Sequence, residues 1–475
     1  LDNVLAGLKE RVLFLDEAGT VPPRCHRSHE ECRKYCHRVA HAVDVSSPMT
    51  MAAYVATRPG RTRKLYEQAL ERFNAGPVCL REEAITALFI KWEKTVHSKR
   101  QVPRVINPRS PLFNILLGRY LHPVEKPLFD ALRLVTGQSM PCIAKGMTME
   151  EKGALIAQHF EDGYVGVGLD ASRFDQSISA TLLRLEHSVY KRIFPDRLLH
   201  RLLDLQLDNT GSCRLGDLRL KLRYGAIRCS GDVNTSLGNC IISVVLAGMF
   251  LEEAGLVKES RILCDGDDLV IFIKRHALQA LVDLDLTGWY LKWGLRMKVE
   301  TPAMIPEELE FCQARPVWTE RGYVLVRNCV KALNCDYVGF ANAESIKYYR
   351  TLLRSIGLCG MSMAAGIPVL QEWYQFGIDN GITGRLAHED LCASGLGYQA
   401  RLQRQAGARC VARHIHPESR ISFEKAFGID VTTQLVVEEY IRSSRFSGHT
   451  VSSFDRFFEY LPGFQWEILR HEQES

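Results

Sequence analysis

Hydrophobic and polar positions divide the chain into distinct regimes. Over residues 164–315, short apolar runs alternate with apolar positions at helical spacing. Over residues 340–475 helical spacing dominates and strand-like runs are few. Residues 1–80 carry short helical patterns, and residues 85–135 are basic and punctuated by proline. This distribution predicts an α/β centre with an N-terminal region before it and a mostly helical region after it.

Within the centre, Tyr164–Asp170 (YVGVGLD) reads as a short apolar strand ending in a carboxylate, and Ala180–Ile193 as a helix. Thr235–Leu251 reads as a second helix, opened by the polar stretch SGDVNTSLGN. Arg261–Ile273 (RILCDGDDLVIFI) is two apolar runs joined by Asp-Gly-Asp, a hairpin signal. A helix over Leu278–Trp293 and an extended stretch over Leu295–Glu300 follow. The order β-α-β-β-α-β is that of a split βαβ unit.

Composition narrows the class. The 475 residues are 46% hydrophobic and 24% charged, which is globular and excludes wholesale disorder and fibrous repeats. Net charge is only +5, so any polyanion partner has to be sought in local clusters. The 15 cysteines are odd in number and scattered, which fits reduced thiols in a cytosolic setting. The longest apolar run, Cys240–Leu251, falls short of the ~18–20 residues that span a bilayer and reads as a buried helix. No secretory signal opens the chain, and it begins at Leu1 without Met, as a processed, read-through or trimmed product would.

Four clusters bear chemistry. In CDGDDLVIF, a tight turn projects Asp267 and Asp268; adjacent carboxylates repel unless a multivalent cation sits between them, although the same turn would also serve an ordinary hairpin. In GLDASRFDQSIS, Asp170 lies at the carboxyl end of a strand, where α/β proteins place ligands, and Asp175 opens a helix. Asp170 could equally be a helix cap and Asp175 a solvated residue. In RCSGDVNTSLGN, Ser230-Gly231 permits an unusual backbone, and Thr235 and Asn239 share one helix face suited to a ribose 2′-hydroxyl, or simply to a polar-capped buried helix. Between Lys91 and Arg109 lie six basic residues (Lys91, Lys94, Lys99, Arg100, Arg104, Arg109) and one acid, Glu93. A solvated face would explain them, but the apolar frame VPRVI suggests that Arg104 is aimed into a cavity where a triphosphate would suit it.

A fifth cluster, Cys25 to His41, is rich in Cys and His but lacks any CxxC pair. A packed Cys-containing helix is expected there, with zinc as the lesser alternative. HExxH, GxxxxGK[ST] and GxGxxG are absent, so metalloprotease, P-loop and Rossmann readings lack their motifs.

Taken in order, VPRVI, D-x4-D, SGDxNTxxGN and GDD resemble the viral RNA-dependent RNA polymerases. The wording PRVINPRSPLFNILLGRYL, SGDVNTSLGN, EFCQARPV, LVRN and SFEKAFGIDVTTQ resembles the tombusvirus-like branch. The resemblance covers about residues 50–445.

The resemblance implies a right-hand fold of α/β class: an N-terminal region and fingers over 1–163, a palm over 164–315 with a fingers insertion near 190–228, and a helical thumb over 316–475. It implies Asp170, Asp267 and Asp268 as ligands of Mg²⁺, with Mn²⁺ as a substitute. It implies Asp175, Thr235 and Asn239 as the ribose sensor, and Ser230 and Gly231 as support for template and base. Arg104, with Lys91, would lie over the triphosphate. Lys298, with Lys292 as rival, would protonate pyrophosphate, and Glu310–Pro316 would grip the primer end. The implied partners are RNA template and product, NTPs and an upstream viral replicase protein. The implied setting is the host cytoplasm at membrane-associated replication complexes, with membrane contact only indirect. A silent RNA-binding scaffold would have lost a metal carboxylate, and a reverse transcriptase would not carry Gly266 with the SGDxNT block.

Overall fold

The computed structural model describes residues 2–14, 18–45, 47–91, 102–215, 217–338, 345–384 and 396–446. Lys94, Lys99 and Arg100 of the basic run, with Glu93, lie outside the described residues, as does the last part of the helical C-terminal region, from residue 447 on. Helix predominates over strand in a mixed α/β architecture. Two compact units form. The first takes the described parts of Leu1–Lys91, Val102–Lys145 and Val167–Thr301; the second takes those of Gly146–Gly166 and Pro302–Ser475.

The strands of the first unit are β1 (Thr86–Ala87), β2 (Phe89–Ile90), β3 (Val105–Ile106), β4 (Tyr164–Ala171, from Val167 on), β5 (Asn209–Leu215), β6 (Leu218–Tyr224), β7 (Ser260–Asp265), β8 (Asp268–Lys274) and β9 (Met297–Val299). Four of them form the central sheet in the order β7-β8-β4-β9. The connection leaving β4 thus passes over β8 to reach β7, the split βαβ arrangement that the pattern predicted. β7 and β8 are antiparallel, closed by the pair Asp265 and Asp268, and β4 runs antiparallel to β9 with Asp170 opposite Lys298.

The β4 run is buried up to Leu169, and only Asp170 breaks the buried stripe before Ala171. A strand apolar on both faces must be covered on both. Helix Thr235–Glu253 packs against β7 and against helix Ala180–Ile193. It is buried on nearly all sides from Leu237 to Leu251. This helix is long and apolar enough to cross a membrane, but it is mostly buried within the protein.

One expected element is divided. Leu278–Trp293 forms two short helices, Leu278–Val282 and Leu286–Leu291. Asp285 interrupts the helix by accepting from the Gly288 N–H at 2.8 Å, a local side-chain cap that competes with helix continuation.

β1, β5 and β6 form a second sheet, and β2 with β3 an antiparallel ribbon. The N-terminal helix Asp2–Leu8 packs against the ribbon, and the Arg11 guanidinium donates to the Val102 carbonyl at 3.1 Å. The Cys/His cluster forms helix Arg33–His41, which packs on Ala180–Ile193. Cys32 lies 3.7 Å from the Met249 sulfur, and Cys36 donates to the Leu185 carbonyl. Burial pushes the Cys36 thiol up to about 11, so it stays protonated and packs as a small apolar group.

The second unit pairs β10 (Ala314–Thr319) with β11 (Gly322–Arg327) and packs helix Met149–Glu161 against β11. Cys312 and Gln313 are consecutive left-handed residues, at φ 55° and 57°, in the tight turn that precedes β10. Helices Ile346–Ala364 and Leu370–Asn380 form the core of this unit around Leu352, Ile356, Trp373 and Tyr374. Asp336 is buried and accepts from Arg327 at 2.9 Å and from Tyr374 at 2.8 Å.

Candidate active site

All eleven candidate residues belong to the first unit. The carboxylates occupy the ends of neighbouring strands. Asp170 is exposed at the end of β4, Asp267 is exposed in the β7–β8 turn, and Asp268 is the first residue of β8. Gly266 makes that turn possible with φ 89°, a left-handed conformation that favours glycine. Its carbonyl accepts from Ser243 Oγ at 2.8 Å, which ties the turn to helix Thr235–Glu253. Asp265 behind the turn is paired with Lys145 at 2.6 Å. Among the described residues no group of three or more His, Cys, Asp or Glu side chains is close enough to form a ready-made metal cage.

Asp175 follows Arg173, whose φ of 52° turns the chain sharply out of β4 into the short helix Phe174–Ser177. A non-glycine residue in this region stores strain that the surroundings must hold. Here the Arg173 guanidinium bonds the Glu10 carbonyl. Asp175 accepts from Asn239 Nδ2 at 3.2 Å. Burial pushes the Asp175 carboxyl above the usual carboxylate range. The Arg228 cation and the Asn239 bond oppose that shift, the Asp267 charge adds to it, and the Arg104 charge opposes it. Groups from three other stretches of sequence therefore act on this one carboxylate.

Thr235 Oγ1 donates to the Cys229 carbonyl at 2.7 Å. Its single proton is committed, so its free lone pairs can only accept. Ser230 donates through its hydroxyl to the Val105 carbonyl at 3.2 Å, and its N–H bonds Asn107 Oδ1 at 2.7 Å. Gly231 takes no left-handed φ. Its role is space, because a Cβ there would meet Pro108 at 2.5 Å. The basic segment and the SGD loop are thus laced together through Asn107, Pro108 and Ser230.

Lys91 and Arg104 adjoin at the end of the β2–β3 ribbon, where the Lys91 N–H donates to the Arg104 carbonyl at 2.9 Å. The expectation of a buried Arg104 is corrected: Arg104 is exposed. Among the described residues of the segment the buried cation is Arg109, 4% exposed and paired with Asp232 at 2.8 Å. Two-residue strands alternate faces too briefly to enclose Arg104, whereas Arg109 precedes a helix that covers it. Lys298 is exposed on β9, in register with Asp170.

The family model described as viral RNA dependent RNA polymerase matches residues 1–448. The chain belongs to this family. It is 32% identical over 456 residues to the RNA-directed RNA polymerase of maize chlorotic mottle virus, covering 93% of this chain and 46% of that protein. It is 34% identical over 423 residues to that of oat chlorotic stunt virus, covering 86% and 55% respectively. For tobacco necrosis virus the figures are 33% over 448 residues, 92% and 60%. The tombusvirus-like branch indicated by the motif wording is the one from which these polymerases come. The chain spans about half the length of the curated relatives it matches.

Sequence reasoning passed over several polar residues that the polymerase fold buries beside these motifs. Arg228 and Asp232 flank the Ser230-Gly231 pair, and Asn107 precedes Pro108. Glu186 carried a legible signal: it sits among Leu182, Leu185, Val189 and Tyr190 on the buried stripe of its helix, where a lone acid requires a partner.

Proposed function

We propose that the chain carries out template-directed RNA synthesis from ribonucleoside triphosphates, as the polymerase part of a positive-strand RNA virus replicase. The observation that carries this reading is the set of hydrogen bonds from Asn239 to Asp175, from Ser230 to the Val105 carbonyl and from Ser243 to the Gly266 carbonyl. It joins the four family motifs around one point at which a nucleotide's sugar and phosphates can be read together.

In this reading the RNA 3′-hydroxyl attacks the α-phosphorus in line and pyrophosphate leaves. Arg104 and Lys91, adjoining at the ribbon end, hold the triphosphate. Asp175, Asn239 and Thr235 bind the ribose, with Thr235 accepting from the 2′-hydroxyl. Lys298 gives its proton to the departing pyrophosphate. Asp170, Asp267 and Asp268 are hard oxygen donors at adjoining strand ends, which fits Mg²⁺: this ion takes one or two carboxylates and completes its shell with water and phosphate. When bound there, such a cation lowers the pKa of the hydroxyl and neutralises charge on the leaving side. In this reading an N-terminal region and the fingers take 1–163, the palm 164–315 with a fingers insertion near 190–228, and the thumb 316–475. The partners in this reading are RNA, NTPs and an upstream replicase protein, at membrane-associated complexes of the host cytoplasm with only indirect membrane contact.

The test is direct. Purified protein is incubated with a short RNA template, four NTPs and Mg²⁺ or Mn²⁺, with and without primer. Extended product is the expected result; no product with either metal would favour a silent RNA-binding scaffold.

A further inference from the structure

Beneath the Asp175–Asn239 pair lies a chain of buried polar groups that no role above requires. Arg228 is 2% exposed and Glu186 0%. Their side chains form an ion pair inside the first unit. Arg228 Nε also donates to Asn239 Oδ1 at 2.7 Å, and the Arg228 backbone N–H donates to the Asp175 carbonyl at 2.9 Å. One residue thus touches both members of the sugar-reading pair, one through its side chain and the other through its main chain.

The chemistry of the groups makes this a lock. A guanidinium only donates and a carboxylate only accepts. With Arg228 on one side and Asp175 on the other, the Asn239 amide has a single orientation that satisfies both. Glu186 in turn holds Arg228 and accepts from Asn234 Nδ2 at 2.6 Å. Helix Thr235–Glu253 descends onto this carboxylate at Gly238, where a Cβ would lie 2.2 Å from Glu186 Cδ. The chain continues from Asn234 through Gln206 to Asp232, with both bonds 2.9 Å, and on to Arg109. It therefore ends on the same segment that bears Arg104.

Such an arrangement is a poor way to gain stability, because desolvating two charges offsets most of their attraction. It is a good way to fix orientation. We propose that Arg228, held by Glu186, is a positioning residue for ribose recognition: it fixes the Asn239 amide so that NTPs are preferred over dNTPs. The proposal rests on the polymerase reading above. Lysine is not equivalent here, since a point charge cannot serve Glu186 and Asn239 through one rigid planar fork.

The experiment is single-nucleotide incorporation of GTP and dGTP opposite cytosine by wild type, Arg228→Lys, Glu186→Gln and Arg228→Lys/Asn239→Ala. Melting temperature and RNA affinity are measured for each. Arg228→Lys should lower kcat/KM for GTP about tenfold, the scale of one charge-assisted hydrogen bond, while dGTP use changes little. Glu186→Gln keeps the shape and the bond from Asn234 but loses the charge, so it should move the GTP:dGTP ratio in the same direction by less. It also decides the question if Arg228→Lys does not fold. The double variant should be less than additive. Equal losses for both sugars in the folded variants would overturn the proposal and leave Arg228 a purely structural residue. Wild-type protein that incorporates neither nucleotide would instead overturn the polymerase reading.

Discussion

Asn239 donates its amide N–H to Asp175 at 3.2 Å across 64 positions of sequence. The bond joins the turn after β4 to the first turns of the central helix. A polar pair bridging two separate motifs at the edge of the buried core is suited to reading a hydroxyl, since each partner is held by the other and neither needs to reorganise on binding.

Loss of that pair should alter sugar choice. Asn239→Ala should reduce the preference for GTP over dGTP mainly by slowing GTP, because a site built for a hydroxyl leaves polar groups unpaired when a deoxynucleotide enters. Asp175→Ala should act the same way, and the double variant should cost less than the sum. An unchanged ratio in Asn239→Ala removes the sugar-reading role.

Asp267 is exposed at a turn whose backbone is held independently by Gly266 and Ser243. Asp267→Ala should therefore fold normally and bind RNA while synthesis collapses. A fall of less than about tenfold, or ~1.4 kcal/mol of barrier, would be too small for a carboxylate at the reacting centre.

Arg104 and Asn107 lie on one segment but do different work. Arg104→Ala should raise the KM for NTP more than it weakens template binding, as expected of an exposed cation over a triphosphate. Asn107→Ala removes the acceptor for the Ser230 N–H and should impair template-dependent steps at unchanged NTP affinity. Loss of template affinity with normal NTP kinetics in Arg104→Ala would reassign that residue to the RNA groove.

His187 should leave an acid-side signature in stability. Burial first, then the Arg228 charge, pushes it from 6.5 down to about 3, and it bonds Gln206 at 3.1 Å. Below pH 6.5 the unfolded chain takes up a proton that the folded protein refuses until about pH 3, so stability falls as pH drops through this window and is unaffected above it. In denaturant titrations, His187→Gln should lose about 2 kcal/mol less than wild type between pH 7.5 and pH 5. Equal losses in the two proteins would mean that His187 is charged in the fold.

The sequence by itself determined the strands of the central sheet, the hairpin that ends in Asp267 and Asp268, the central helix and the family. Apolar runs, helical spacing and a glycine turn each lie within a few dozen residues, and motif order is read along the linear chain. It did not reveal the break at Asp285, because a capping aspartate and a helix-surface aspartate have the same pattern. Arg104 and Arg109 were also indistinguishable, since burial of a cation depends on what covers it. The polar chain from Asp175 through Asn239, Arg228, Glu186, Asn234, Gln206 and Asp232 to Arg109 was decided only by tertiary structure. Its members come from five separate segments, and hydrogen bonds of about 3 Å require a precision of approach that only the packed fold supplies.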